Sequence, residues 1–314
     1  MTRIFYATDV HGAELCFLKF MNAHKFYKVD LIIMGGDVTG KMIVPIITHE
    51  NGSYSADLFG KNWKLASGKD LAEFEKKVRY NGYYPVRTTP EEYKRLESDR
   101  GAVDKKFSEA MVNEFRRWVR LAEDKLKSSE VRCYITPGND DRFDIDEVFE
   151  EGGHVTNPEG KVVMIDDNHE MISTGFANMT PWNCPRDISE EELAKKIEQM
   201  TSKVTDMSNC IFNFHCPPYD SGLDTAPKLK DLKPVVGPGG AIVEAVGSTA
   251  VRDAIEKHQP LLGLHGHIHE SKGASTLGRT LCVNPGSEYS EGILRGAIIE
   301  LEANSVKHYQ LTSG

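Results

Sequence analysis

Short runs of apolar, β-branched and aromatic residues recur along the chain, and most end in a polar or glycine-rich turn. Arg3–Ala7 (RIFYA) and Leu31–Met34 (LIIM) read as strands, and the helix between them carries Leu15, Leu18 and Met21 at helical spacing. Val131–Ile135, Cys210–Phe214 and the apolar run Leu261, Leu262 and Leu264 repeat the strand pattern. The stretches Lys161–Ile165 and Glu170–Gly175 read as strands as well, and Arg279–Asn284, Gly296–Leu301 and Ser305–Leu311 close the chain as sheet. Strand, turn, helix, strand, turn is the rhythm of an α/β chain, in which ligands bind beyond the carboxyl ends of the strands.

The rhythm breaks twice. Residues 41–130 read as an insertion into a single domain spanning 1–314. In it, Ile43–Thr48, the Asn51-Gly52 turn and Ser53–Leu58 predict a hairpin. A helix with Leu71, Phe74 and Val78 follows, then a longer one with Val103, Phe107, Met111, Phe115 and Trp118 at three- and four-residue spacing. That aromatic stripe reads as packing rather than as a platform for stacking bases. The second break is 217–241, where five prolines and four glycines predict an irregular, functional loop. Elsewhere Asp144 with Glu147 predicts the start of a short helix stopped at Gly152-Gly153. Ser189 with Glu192 predicts a cap for a helix burying Leu193, Ile197, Met200 and Val204, and Ser248 caps a helix to His258.

Composition narrows the class. The chain has 314 residues, 39% hydrophobic and 27% charged, as expected of a globular protein. No apolar run approaches the roughly 18 residues of a membrane span. The N-terminus enters a strand with no basic-then-apolar leader, and the six cysteines form no CxxC pair. The expectation is a cytoplasmic protein with reduced thiols and no membrane partner. A net charge of −9 argues against a general nucleic-acid coat. The charge is uneven, however. Residues 61–130 hold 17 Lys and Arg against 13 Asp and Glu, or +4, which leaves 21 against 34, or −13, elsewhere. Solvated helix faces account for the basic segment, and metal ligands for part of the acidity.

The candidate chemistry lies in LLGLHGHIHE (Leu261–Glu270), where His265, His267 and His269 alternate. In extended backbone alternate residues share a face, so at least two imidazoles are expected to converge, with Gly266 admitting close approach. Imidazole is a common ligand of transition metals. Four other strand ends carry coordinating side chains: Asp9 and His11, Asp37, Asn139, and His215. Each alone has an ordinary reading, as a helix cap, a turn residue or a satisfied core histidine. Together they supply seven donors mixing carboxylate, imidazole and amide, a set suited to two cations such as Mn²⁺, Fe, Zn²⁺ or Ni²⁺. A carboxylate can bridge ions ~3.5–4 Å apart, and the lack of thiolates disfavours a closed structural zinc site.

Asp9-x-His11, Gly36-Asp37, Gly138-Asn139, His215 and Gly266-His267-x-His269, in that order, resemble the signature of the calcineurin-like metallophosphoesterases. LHGHIHE and VNPGSE (Val283–Glu288) most resemble the Icc-related branch. The resemblance implies an α/β four-layer sandwich, two mixed β-sheets flanked by helices, with a metal pair at the sheet edge. It implies one metal on Asp9, His11, Asp37 and His269, and another on Asp37, Asn139, His215 and His267, Asp37 bridging. It further implies in-line attack on phosphorus by a metal-bridging hydroxide, with Asn139 donating its amide to a phosphoryl oxygen. Many relatives place a histidine after Gly-Asn to protonate the leaving group, and here that position is Asp140. The departure favours phosphodiesters or activated esters over simple alkyl monoesters; the expected substrate is a small phosphodiester or nucleotide, with Asn139 and Asp140 as the catalytic candidates. His265 is expected to pack or support rather than ligate. Tyr219, Asp220 and Gly237–Ala241 are candidates for shaping a substrate pocket, and Asn284–Ser287 for a turn with a phosphate contact. Two alternatives stay open: a nuclease using Arg116, Arg117 and Arg120 of the insertion, and a protein-binding scaffold without catalysis.

Overall fold

Alternation within the first strand sets the layering. In β1 (Thr2–Ala7), Ile4 and Tyr6 face one way while Phe5 and Ala7 face the other, and all four are buried. Burial on both faces requires a layer on each side. The computed structural model, which describes residues 1–314, supplies both.

The elements follow in chain order. They are α1 (Glu14–Tyr27), β2 (Leu31–Met34), β3 (Met42–Thr48), β4 (Tyr54–Leu58), β5 (Lys61–Leu65), α2 (Gly68–Tyr80) and β6 (Tyr83–Thr88). Next come α3 (Pro90–Ser98), α4 (Arg100–Leu126), β7 (Arg132–Ile135), β8 (Val155–Thr156), β9 (Val162–Met164) and β10 (Glu170–Thr174). The remainder is α5 (Glu190–Thr201), β11 (Ile211–Phe214), α6 (Thr249–His258), β12 (Leu262–Leu264), β13 (Gly273–Leu277), β14 (Thr280–Asn284), β15 (Arg295–Glu302) and β16 (Ser305–Ser313).

Two six-stranded mixed sheets result, ordered β16-β15-β1-β2-β7-β8 and β13-β14-β12-β11-β10-β9. In the first, β1, β2, β7 and β8 run parallel and β15 pairs antiparallel with β1. In the second, β10, β11, β12 and β14 run parallel. The sheets meet face to face over Ile4, Tyr6, Leu31 and Ile33 from one and Met171, Ile211, Leu262 and Leu264 from the other. On the outer face of the first sheet, Phe17 and Phe20 of α1 and Phe115 and Trp118 of α4 cover Phe5 and Ile32. On the outer face of the second, Leu193 and Ile197 of α5 and Val251 and Ile255 of α6 cover Ile172 and Phe212. The expected four-layer sandwich of two mixed sheets flanked by helices is therefore the observed one. No helix is long and apolar enough to cross a membrane, and all six cysteines are unpaired.

Residues 42–88 add a third sheet, β5-β4-β3-β6, packed on Leu71, Phe74 and Val78 of α2. The hairpin of β3 and β4 is as expected, but β3 also pairs in parallel with β6, which the pattern did not announce, and α3 is likewise additional. In α1 the buried face is Cys16, Phe17, Phe20 and Met21, with Leu15 and Leu18 only half-buried. The larger rings take the core because Phe17 stacks on Trp118 at 4.1 Å between centroids. Residues Phe143–Glu151 form a 3₁₀ helix without a side-chain cap; Asp144 instead accepts the Ser108 hydroxyl. The expected caps Ser189 and Ser248 are in place, the first with a reciprocal capping box. Val204 lies beyond α5 and is half-buried.

The expected irregular loop is largely ordered as an arm. Three antiparallel ribbons stack along it: Thr225–Pro227 with Val243–Ala245, Leu229–Lys230 with Lys233–Pro234, and Val236–Gly237 with Gly240–Ala241. Pairings of two or three residues need no continuous ladder, so they tolerate prolines that would break a longer strand.

Removing the ring that joins α1 and α4 tests the outer layer. Trp118→Ala is expected to lower unfolding free energy by about 3–5 kcal/mol, read from urea denaturation at unchanged slope.

Candidate metal centre

Five parallel strands end at one edge shared by the two sheets. From the first sheet, β1 leads to Asp9 and His11, β2 to Asp37 and β7 to Asn139; from the second, β11 leads to His215 and β12 to His267 and His269. Four of the turns are tied in two pairs along the backbone: Asp9 N–H donates to Gly36 O at 2.9 Å and His11 N–H to Asp37 O at 2.9 Å, while Gly266 N–H donates to His215 O at 2.9 Å.

Turning a side chain inward directly after a strand requires backbone outside the ordinary regions. Asp9, His11, Asp37 and His267 all have positive φ, at 54°, 40°, 48° and 65°. Non-glycine residues rarely adopt that region unless the surroundings enforce it, and such strain concentrates at functional sites. Glycine makes the crowding possible. A Cβ on Gly36 would strike the ring of His215, one on Gly138 would strike Asp37, and one on Gly266 would strike Thr8 and Asp9.

The seven candidate residues come together. Asp9, His11 and His269 form one group of donor atoms within 4.8 Å of one another, and Asp37, His215 and His267 form another. Asn139 joins the second group, its Oδ1 lying 2.9 Å from His267 Nδ1. Asp37 Oδ2 lies 3.5 Å from His11 Nε2 and its Oδ1 3.4 Å from His215 Nε2, so its two oxygens face both groups. The histidines do not converge by strand alternation. β12 ends at Leu264, and the left-handed turn at His267 swings the later rings toward the edge. His265 points into the interior instead, where Nδ1–H donates to Phe214 O at 2.8 Å.

The electrostatics of the cluster suit divalent cations. Asp9 is 1% and Asp37 4% exposed, and imidazoles are their only ion-pair partners. Burial pushes both carboxyls up, yet the neighbouring histidines prevail: Asp9 is lowered to about 2, and Asp37 is held well below the usual carboxylate range. Burial opposes a charge on His215 too, but Asp37 and Asp9 push it up to about 9. Burial dominates at His11 and His267, which fall to about 4 and stay neutral, as ligands must. His11 Nδ1 and His215 Nε2 are buried without hydrogen-bond partners. His11 Nε2 faces His269 Nε2 at 3.1 Å, an apposition of two ring nitrogens that a cation between them would satisfy. His215 Nδ1–H donates to Gly35 O at 2.9 Å, which fixes its tautomer and aims Nε2 at the carboxylates.

Several positioning residues are far away in sequence. Asp141 is fully buried and accepts from Val38 N–H, Thr39 N–H, the Thr39 hydroxyl and Gly138 N–H, binding the Asp37 turn to the Asn139 turn. Asn284 donates to Gly266 O and Ile268 O, and Ser287 to Asp9 O, so Asn284–Ser287 brace the backbone. Asp187 Oδ1 accepts the Asn139 amide at 2.8 Å. One of the two amide hydrogens of Asn139 is engaged there, and its oxygen is presented to the cluster. Asp140 stands at the mouth, its Oδ2 2.7 Å from Lys41 Nζ and 3.8 Å from His11 Nδ1. Tyr219 and Asp220 turn aside, their carbonyls accepting from Arg252, and Gly237–Ala241 sits at the tip of the arm outside the cleft lining.

No family model matches the sequence. The chain is 31% identical to the uncharacterized protein MJ1162 of Methanocaldococcus jannaschii over 179 residues, 55% of this chain and 73% of that one. The chain belongs to the family of that protein. Among solved structures, TT1561 of Thermus thermophilus aligns with a TM-score of 0.52 at 13% identity, covering 100% of this chain and 98% of that one. Another crystal structure aligns with a TM-score of 0.58 at 14% identity, covering 99% and 98%. At such identities the likeness is one of fold alone, that of the four-layer sandwich described above.

Two measurements probe this assembly. Asp187→Ala frees the Asn139 amide, and Mn²⁺ affinity by calorimetric titration is expected to drop about 10–100-fold with the fold retained. The second concerns Glu159, which accepts Gly175 N–H and the Thr174 hydroxyl behind the Asn139 turn; burial raises its carboxyl to about 7 from 4.5. Between those values the folded chain binds the extra proton, so stability falls as pH rises through that window and is unaffected by this group below it. Glu159→Gln is expected to flatten the fall in Tm between about pH 5 and pH 8.

Proposed function

We propose that the chain is a phosphoric ester hydrolase dependent on two divalent cations, with a small phosphodiester or nucleotide as its preferred substrate. The observation that carries this reading is the convergence of Asp9, His11, Asp37, Asn139, His215, His267 and His269 on the floor of an open cleft. Asp9, His11, Asp37 and His269 would hold one cation, Asp37, Asn139, His215 and His267 the other, with Mn²⁺, Fe, Zn²⁺ and Ni²⁺ all suited to such donors. Cations bound there would supply Lewis acidity toward a phosphoryl group and ionise water near neutral pH.

What the chain itself contributes is placement. The two oxygens of Asp37 face both halves of the floor, so that side chain would serve both cations. Asp141, Asn284 and Ser287 hold the strained turns that carry the donors, which spares the site reorganisation during reaction.

At the mouth, Asp140 is ion-paired with Lys41. As a carboxylate it accepts hydrogen bonds and has no proton to give. Lys41 is lowered by burial but raised overall by Asp140, so it stays a firm cation rather than an acid. The pair therefore offers charge to a phosphoryl or leaving oxygen rather than a proton. Esters whose leaving group needs no protonation suit such a site, which favours diesters and activated esters over alkyl monoesters.

The basic insertion gives little support to a nuclease. Arg116 is engaged by Glu151, and Arg117 by Glu14 and Glu114. The intact set of seven donors likewise disfavours a purely scaffolding role.

Chelation should abolish hydrolysis of a bis-aryl phosphate and added Mn²⁺ should restore it. Asp37→Asn is expected to lower kcat/KM by about two orders of magnitude or more under the same conditions. Undiminished turnover in that variant, with its fold verified by circular dichroism, would overturn the proposal.

A further inference from the structure

Above the metal centre the cleft opens to about 650 Å³, and its character changes. Met179, Pro181 and Trp182, from the segment between β10 and α5, form one wall, and Leu229, Leu232 and Pro234 of the arm form the other. These side chains are far more exposed than their chemistry favours: Trp182 is 62%, Leu232 59% and Met179 55% accessible. Apolar groups exposed singly are ordinary, but a collar of them around a polar floor marks a surface that a ligand covers.

Charge in the same cleft limits what that ligand is. Lys41 is the only lysine or arginine in the lining, and it is already paired with Asp140. Of the lining acids outside the floor, Glu244 is paired with Lys228, and Glu270 adds negative charge at the rim. A polyphosphate or a nucleic-acid backbone would find no free cation in the cleft lining itself, whereas a single phosphate resting on a metal-loaded floor would need none.

The collar is also fixed relative to the floor. Asp187, whose Oδ1 holds the Asn139 amide, accepts with Oδ2 from Thr180 N–H at 3.1 Å, the Thr180 hydroxyl at 2.5 Å and Cys184 N–H at 2.9 Å. Thr180 Oγ1 in turn accepts from Trp182 N–H at 3.3 Å. One carboxylate thus sets the backbone carrying Trp182 and the orientation of a proposed metal ligand.

We infer that the collar is a subsite for the organic group of the substrate, and that the substrate is a singly charged phosphodiester bearing one flat, uncharged aromatic group that lies between Trp182 and the arm. The inference rests on the phosphoesterase reading for its reaction, while the binding it describes stands on the cleft alone. Stacking on one aromatic ring is worth about tenfold or more in affinity.

The test compares diesters that share a leaving group, 1-naphthyl p-nitrophenyl phosphate and methyl p-nitrophenyl phosphate, with the Mn²⁺-loaded protein. Calorimetric titration of two monoanions without an aryl leaving group, methyl 1-naphthylphosphonate and methyl methylphosphonate, runs in parallel. The expected result is a kcat/KM about tenfold higher for the naphthyl diester. In Trp182→Ala that advantage should shrink to about threefold or less through KM, and Leu232→Ser should act in the same direction. Equal kcat/KM for the two diesters in the unsubstituted protein would overturn the subsite and leave hydrolysis standing. If neither diester turns over, the hydrolytic reading falls and the phosphonates decide. Naphthyl binding about tenfold weaker in Trp182→Ala then upholds the subsite, and equal affinity for both phosphonates, or no dependence on Trp182, overturns it.

Discussion

Two carboxylates buried side by side, with only imidazoles for counter-charge, are the condition that the rest of this structure answers to. Asp9 and Asp37 lie out of water at the meeting of two sheets, and no lysine or arginine pairs with either. Burying one such charge unpaired is expensive, and burying two together is more so. In the bare chain a charged His215 answers part of the demand, which is why Asp37 and Asp9 draw a proton onto that ring. A pair of divalent cations would answer it fully and would also occupy the space between His11 and His269. The left-handed backbone at four of the seven donors points the same way: a chain holds that much strain in one place only where surrounding structure and function both require it.

The four layers make that concentration of charge tolerable. Each sheet delivers its parallel strands to the common edge, and the apolar contact of Tyr6 and Leu31 with Met171 and Leu264 fixes where one edge lies against the other. The turns themselves have little apolar surface with which to hold a shape. Polar side chains do it instead, each satisfying several backbone groups at once. Asp141 closes four hydrogen bonds between two turns, and Asn284 pins the histidine loop. Because these side chains each satisfy several backbone groups at once, the network resists rearrangement in a way that a solvated loop would not.

Much of this was legible in the sequence because it is local. An apolar run ending in a short polar residue is a strand end whatever surrounds it, so Asp9, Asp37, Asn139 and His215 fell at the sheet edge as their positions implied. Capping by Ser189 and Ser248 was legible for the same reason. What escaped depends on distant partners. Asp141 and Asp187 look like turn residues until the Asp37 turn and the Asn139 amide are brought to them. The arm escaped because its ribbons are two or three residues long, too short for alternation to register. Alternation misled at the histidines, where a run that reads as extended turns left-handed at His267. It misled in α1 too: helical spacing nominated Leu15 and Leu18, but the stack of Phe17 on Trp118, a ring contributed by α4, settled which face is buried.

The division between floor and walls follows from these differences. A floor of carboxylates and imidazoles loaded with the proposed cations would engage any phosphate ester, since the phosphoryl group is common to all of them, so discrimination would have to arise from what stands around it. Here the walls come from 178–184 and the arm, the proline-rich segments with the weakest periodicity in the chain. Loops of that kind can vary without disturbing the sheets, which is why binding residues concentrate on them. They still need a fixed relation to the chemistry, and Asp187 provides it by holding the Trp182 segment with one oxygen and Asn139 with the other. A change in the wall that moved Asp187 would disturb the floor as well, so the two functions, though drawn from different parts of the fold, are mechanically one.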